Sequence, residues 1–409
     1  MSPLPLDLGP ATSFRTVRIR SHVRAPFLFR KRIDWMDPAA EPGEIVSVVD
    51  GENQIVGYGI FNPLAEIVVR MLTYDATIPD AAFWKSRFEG AASLRRDLLK
   101  LDADTNSYRL LHAEGDGLSG LMVDLFQDVL SIETFSLGMF RRGAAIAESL
   151  ASLMGTKHWL IQPSPRASEQ EGLDAEPILS PDCPKQVEIR EFGTRFRVRF
   201  EDGHKTGFFC DQRDNRKQLA SFCEGKRVLD LCCYTGGFAV QAKKLGNAAE
   251  VTAVDLDEKA VALAKENANL NQLRMNVVHS DAFAYMRDML RLGKRYDVVV
   301  LDPPKLINSR VELEEGKRRH YDLNRLAMQL VEPGGVLLTC SCAGLLQPEE
   351  FTDLVLAASR HTLPADGDMN SRQGRRVQIL DKTGASADHP IADNCPENEY
   401  LKAIWLRVL

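Results

Sequence analysis

The chain has 409 residues, 44% hydrophobic and 26% charged, with a formal net charge of −6. That length predicts two or three domains, and the composition is ordinary for a soluble globular protein. No apolar run reaches the length of a membrane span, and the opening MSPLPLDLGP lacks the basic flank and apolar core of a secretory signal.

The net charge weighs mildly against nucleic acid as a partner, but a total hides distribution. From 15 to 32 the chain carries Arg15, Arg18, Arg20, Arg24, Arg30, Lys31 and Arg32 and no acid. Smaller basic clusters follow at Lys317-Arg318-Arg319 and Arg372/Arg375/Arg376. A single run of this kind reads as a solvated face.

EIVSVVD (44–50) and QIVGYGIF (54–61) flank Gly51-Glu52-Asn53, a hairpin signal, and EIVVRMLTY (66–74) is a further strand. Together they predict a small β-rich domain over 14–78. Residues 79–100 have helical periodicity, with Phe83, Phe88, Ala92 and Leu98 along one side. They open a central α+β domain, 79–186. In it, 108–135 reads as strands broken by a Gly-rich turn, 141–155 as a helix and the polar 164–177 as an exposed loop.

From 187 to 409 the rhythm changes to that of an α/β, Rossmann-like domain. A hairpin (187–201) and a helix (211–223) lead into short apolar strands alternating with helices, up to YDVVVLDPP (296–304) and GVLLTCSC (335–342). Such alternation implies a mostly parallel sheet covered on both faces.

VLDLCCYTGGF (228–238) places Asp230 at the end of a buried strand. A turn holding Cys232, Tyr234, Thr235 and Gly236 follows, then a helix. Ligands of doubly wound sheets bind beyond such strand ends, and glycine lets backbone approach closely. The spacing departs from G-x-G-x-x-G, so a nicotinamide cofactor is disfavoured. Asp255 ends the next strand, suited to ribose hydroxyls, with Leu256 beside it. Asp281 follows the third strand, suited to an exocyclic adenine amine, with Ala282 beside it. Asp302 ends the fourth, within DPPK. Each acid alone reads as a helix N-cap; the ordered set reads as a cofactor site.

With these acids placed, DGHKTGFFCDQRDNR (202–216), CYTGGFAV (233–240), DPPKL (302–306), CSCAGLL (340–346) and ADHPIADNCPENEYLK (387–402) resemble one family. It is the class I S-adenosylmethionine-dependent RNA methyltransferases, and more narrowly the bacterial 23S ribosomal RNA large-subunit methyltransferase I type. The resemblance runs nearly full length, since YRLLHAEGDGLSGLMVD (108–124) looks like the central domain of that family. It implies an N-terminal PUA domain, S-adenosylmethionine as cofactor, 23S ribosomal RNA as partner and 5-methylcytosine as product. It also implies that Phe209, Gln212 and Arg213 lie over the cofactor, the arginine near the methionine carboxylate. A plain helix start capped by Asp211 accounts for the same residues.

Carbon 5 of cytosine attacks a methylsulfonium only after a thiolate has added to carbon 6. Cys342 matches the S-C-x-G-L element of the resembled family and is the expected nucleophile. Cys340, two residues back on the same side of a strand, reads as a buried small hydrophobe. Asp302 is expected to hold the base edge at N3 and N4, and the base that takes the C5 proton stays unassigned. The cysteines (183, 210, 223, 232, 233, 340, 342 and 395) show neither zinc-finger spacing nor a disulfide framework. No metal and a reducing cytoplasm are therefore expected, with a monomer or homodimer suggested by the family. Two alternatives stay open: a guanine-N7 methyltransferase, which needs no cysteine, and an RNA-binding factor that keeps the cofactor fold without activity.

Overall fold

In the stretch from 15 to 36 apolar and charged residues alternate, and an extended chain sends them to opposite sides. The chain forms β1 (Thr16–Ile19), β2 (Phe27–Phe29) and β3 (Ile33–Met36), burying Val17, Ile19, Leu28 and Ile33 while Arg20, Arg24, Lys31 and Arg32 stay exposed. Sequence patterning places strands only from 44 onward, because these three are short and rich in arginine. β4 (Ile45–Val49), β5 (Ile55–Phe61) and β6 (Ile67–Met71) complete a six-stranded sheet of order β2-β6-β5-β4-β1-β3. β1 runs parallel to β4, and the other pairings are antiparallel.

The computed structural model describes residues 2–7, 13–21, 24–200, 207–362 and 374–409. Residues 202–206 of the DGHKTGFF motif and Arg372 lie outside them. Two units emerge: Met1–Ile189 with Val198–Cys210 and Ala387–Asn398, and Arg190–Arg197 with Asp211–Ser386 and Glu399–Leu409.

In the first unit α1 (Ala81–Ser93), capped by Asp80, runs into a π turn at Leu94–Leu98. β7 (Ser107–His112), β8 (Leu121–Phe126), β9 (Val129–Thr134), β10 (His158–Pro163) and β11 (Ile178–Leu179) form a second sheet in the order β11-β10-β9-β8-β7. α2 (Leu137–Met154) buries Ile146, Ala147 and Leu150 in a core shared with α1 and this sheet. The expected exposed loop over 164–177 is corrected: Pro165–Glu171 is a helix, α3. Pro165 suits a first helical turn. Glu171 is buried, with Arg70 of β6 at 3.2 Å and Asn62 at 2.8 Å. A polar segment reads as loop when the partner that buries its charge is distant in sequence.

The hairpin β12 (Gln186–Glu191) and β13 (Thr194–Arg199) precedes the second unit's alternating elements. These are α4 (Arg213–Ala220), β14 (Arg227–Leu231), α5 (Gly237–Lys244), β15 (Glu250–Asp255), α6 (Glu258–Leu270), β16 (Asn276–His279) and α7 (Ala282–Arg291). β17 (Tyr296–Leu301), α8 (Leu313–Leu330), β18 (Val331–Ser341), α9 (Pro348–Arg360), β19 (Val377–Thr383) and β20 (Lys402–Val408) follow. The sheet order is β16-β15-β14-β17-β18-β20-β19, parallel as far as β18 and antiparallel beyond. Alternate residues fill opposite faces. Leu229, Leu231, Val299 and Leu301 pack with α8 and α9, and Val228, Val298 and Val300 pack with α4 and α5. Both faces are covered, so the strands read as continuous apolar runs.

Candidate cofactor and catalytic site

β14 has β15 on one side and β17 on the other, so the strand order reverses there and opens the crevice in which such sheets bind ligands. Asp230, Asp255, Asp281 and Asp302 stand at or just past the carboxyl ends of β14, β15, β16 and β17. Their local roles differ. Asp281 is the N-cap of α7, accepting from the Ala284 amide at 2.9 Å. Asp255 accepts from the Tyr234 amide at 2.7 Å and from the Asp257 amide at 2.9 Å. Asp230 is buried; its Oδ2 accepts from the Ala239 amide at 2.9 Å, and its Oδ1 has no partner among the described residues. Burial pushes the Asp230 carboxyl well above the usual carboxylate range; the Ala239 amide opposes this, and the charges of Asp302 and Asp255 add to it.

The turn after β14 is unusual backbone. Cys232, Tyr234 and Gly236 have φ of +61°, +48° and +81°. Left-handed conformations are uncommon for residues with a Cβ, and they cluster where a site over-determines the chain. The Tyr234 amide bond to Asp255 is one of the restraints holding this turn. Gly236 is the N-cap of α5, and a Cβ there would stand 3.2 Å from the Ala264 Cβ of α6. Its glycine is therefore required by backbone conformation and helix packing. Thr235 is buried, with its carbonyl accepting from Asn267 Nδ2 at 3.0 Å. Leu256 is 66% exposed at the strand end, an apolar side chain offered to the crevice mouth. Ala282 opens α7 half-buried.

Gln212 joins two of the predicted elements. Its Nε2 donates to Asp302 Oδ2 at 3.0 Å, and its Oε1 accepts from Asn215 Nδ2 at 2.6 Å. Gln212 is also the N-cap of α4, without a side-chain capping bond, so Asp211 does not cap this helix. Asp211 instead accepts from the Tyr400 hydroxyl at 2.6 Å. Arg213 is buried in the first turn of α4. Phe209 belongs to the first unit, half-buried one residue before the short 3-10 turn Cys210–Gln212.

Cys340, inside β18, is fully buried, and burial raises its thiol well above the ordinary range. Cys342 lies just past the strand, half-exposed, and packs against the same core. Three side chains that sequence reasoning gave no role belong to or bond the residues flanking it. Ser341 Oγ meets His320 Nε2 at 3.2 Å, and Lys402 Nζ donates to the Ala343 carbonyl at 2.5 Å. Lys402 had a visible signal, a lysine opening the otherwise apolar strand KAIWLRV.

In the first basic cluster Arg20, Arg24, Lys31 and Arg32 are exposed while Arg15 and Arg18 pair with Asp37 and Asp34, and Arg318 and Arg376 are exposed in the other two. On α8 Lys317 pairs with Glu350 at 2.9 Å and Arg319 with Glu315 at 2.7 Å. Arg375 is buried, donating to the Met328 carbonyl at 2.7 Å. Among the described residues, no group of three or more His, Cys, Asp or Glu is placed to hold a metal ion. No described helix is long and apolar enough to cross a membrane. A separate hollow of about 530 Å³ opens at the amino ends of β15 and β16, lined by Glu250, Lys265, Arg274 and Asn276 among others, away from the acids.

Residues 18–74 match a PUA-like domain, and residues 109–363 match the S-adenosylmethionine-dependent methyltransferase family. The chain is 34% identical to a ribosomal RNA large subunit methyltransferase I of Salmonella arizonae, over 94% of each chain. It is 33% identical to one of Escherichia coli, over 94% of this chain and 96% of that one. Among solved structures, a methyltransferase complexed with SAH has a TM-score of 0.77 at 19% identity, covering 96% of this chain and all (100%) of the other. An S-adenosylmethionine-dependent methyltransferase from Streptococcus mutans gives 0.76 with the same coverage and identity. Together with the two family models they show the fold: a class I, Rossmann-like methyltransferase domain preceded by a PUA-like domain. Asp230 Oδ1, buried and unpaired beside two further acids, suits a ligand that carries positive charge, as S-adenosylmethionine does at its amine and sulfonium. The chain is an S-adenosylmethionine-dependent methyltransferase and belongs to the ribosomal RNA large subunit methyltransferase I family.

Proposed function

We propose that this enzyme methylates carbon 5 of a cytosine in 23S ribosomal RNA, with Cys342 as the nucleophile. The observation that carries the reading is a half-exposed thiol just past β18, with the strand-end carboxylate Asp302 on the neighbouring strand β17. Asp230, Asp255, Leu256, Asp281 and Ala282 hold the nucleoside and amine ends of S-adenosylmethionine, with the 232–236 turn beneath them. Gln212 and Arg213 close the site from α4, and Phe209 precedes them in the chain. The cofactor supplies an electrophilic methyl group.

The Cys342 thiolate adds to carbon 6, and the electron pair of the C5–C6 double bond becomes available at carbon 5 for the methyl group. Loss of the C5 proton then returns that pair, and the C6–S bond breaks. Asp302, fixed by Gln212, accepts from the cytosine amine and orients the ring. A paired cytosine is flipped out first, at a cost of a few kcal/mol. The exposed arginines of the first sheet offset this through phosphate contacts. The proposed functional division is 14–78 for RNA binding, 79–186 as the central domain and 187–409 for methyl transfer, and the cytoplasm, where ribosomes assemble, is the proposed setting.

The test is nucleoside mass spectrometry of ribosomal RNA from cells with the protein, without it, and with Cys342→Ala. Loss of 5-methylcytosine at one position in both altered strains supports the reading. A missing 7-methylguanosine with 5-methylcytosine intact transfers it to guanine-N7 chemistry.

A further inference from the structure

Lys402 is the first residue of β20, and the antiparallel register sets it opposite Ser341, one residue before Cys342. Its side chain is 5% exposed. Its Nζ donates to the Ala343 carbonyl at 2.5 Å and to the Tyr400 carbonyl at 2.8 Å. No carboxylate lies within ion-pair distance of it among the described residues. Its ammonium is therefore buried against two neutral carbonyls without an ion pair, an arrangement that costs free energy. The residue whose carbonyl it grips is the one after Cys342.

We infer that Lys402 is a positioning residue for Cys342: its ammonium fixes the 342–343 backbone from the neighbouring strand and stabilises the thiolate as its missing counter-ion. The catalytic meaning of this pairing rests on Cys342 being the nucleophile.

The surroundings agree. Burial lowers the Lys402 ammonium to about 8; Cys342 and Glu399 act against that lowering and Lys305 with it. His320, across Ser341, is lowered to about 4 by burial and then by the Lys402 charge, so it stays neutral and adds no competing cation at neutral pH. Asp302 and Asp211 act on Cys340, which is fully buried. Lys402 is thus the buried cation at the Cys342 end of the strand, and a thiolate is the nucleophilic form of cysteine.

The test is the rate at which iodoacetamide alkylates Cys342, read residue by residue by tandem mass spectrometry over a pH series, with Cys183 as internal reference. In Lys402→Met the Cys342 rate at neutral pH is expected to fall about tenfold and its profile to move to higher pH, as loss of a nearby cation requires. Lys402→Arg, which keeps the charge, is expected to restore most of the rate, and Cys183 to react equally in all three. An unchanged Cys342 profile in a folded Lys402→Met overturns the inference. If neither variant folds, the unaltered protein decides: a Cys342 that titrates no lower than an ordinary thiol overturns it too. A separate assay isolates the underlying reading: RNA carrying 5-fluorocytosine is expected to trap a covalent adduct with the unaltered protein and none with Cys342→Ala. An adduct persisting in Cys342→Ala removes the nucleophile assignment while leaving the alkylation result standing.

Discussion

A buried carboxylate oxygen without a partner is costly, commonly about 1–3 kcal/mol and more for a charged group. Asp230 Oδ1 is such an atom, and a cationic ligand resolves the cost. Asp230→Asn is accordingly expected to weaken S-adenosylmethionine binding about tenfold or more in calorimetry, because a charge-assisted contact contributes roughly 1.5–3 kcal/mol. The raised carboxyl also sets a pH dependence. Without ligand it holds a proton at pH values where ordinary carboxyls have lost theirs, and a bound cation favours the carboxylate. Binding therefore releases a proton, and affinity falls as pH is lowered. Calorimetry in two buffers of different ionisation enthalpy measures this; equal heats in both sink the idea. Asp302 was legible in the sequence as a strand-end acid. The Gln212 amide that holds it was legible only through the family resemblance, since the two residues are far apart in the chain.

At the scale of elements, the strand-to-helix turn of residues 232–236 depends on conformations that side chains resist. Gly236→Ala introduces a Cβ at φ +81° and 3.2 Å from Ala264. A loss of about 1–2 kcal/mol is expected, read as a lower melting temperature together with weaker cofactor binding. The hairpin end is held differently. Glu191 accepts from Arg216 in a two-bond pair at 2.8 and 2.6 Å, with both residues buried. Glu191→Ala leaves the guanidinium buried without its counter-ion and should cost about 3–5 kcal/mol in urea unfolding. A stability unchanged by this substitution counts against the pair's role. Elements with strong local signals were read well. The helix expected over 258–270 is α6 (Glu258–Leu270), because its Asp257 cap and apolar spacing are local. The helix α3 escaped, since what buries Glu171 is Arg70, an element from another sheet.

Across the whole molecule the charge of −6 says little about RNA, because a total hides the acid-free basic run of the first sheet, where Arg20, Arg24, Lys31 and Arg32 are exposed. Replacing Arg20, Arg24, Lys31 and Arg32 with alanine is expected to lower RNA affinity. It should also flatten its salt dependence by about 0.7–0.9 log units per lost phosphate contact. Replacing Lys317 and Arg319 is expected to leave the slope unchanged, since acids on α8 and α9 already pair them. Filter binding over a salt series separates the two sets. An equal effect from both assigns the RNA surface elsewhere.

The sequence alone determined the strand-helix alternation of the methyltransferase domain, the order of its acids along the chain and the family to which it belongs. Those depend on periodicity and on short motifs, both local. Tertiary structure decided which acid is buried with an open oxygen, which basic residues are already paired, and which cation stands behind Cys342. These are questions of distance between segments far apart in the chain, and burial is what converts such distances into charge, proton affinity and reactivity. Lys402 shows the difference: in sequence it begins a strand far from residue 342, and only the pairing of β20 with β18 sets it opposite Ser341 and its ammonium on the Ala343 carbonyl.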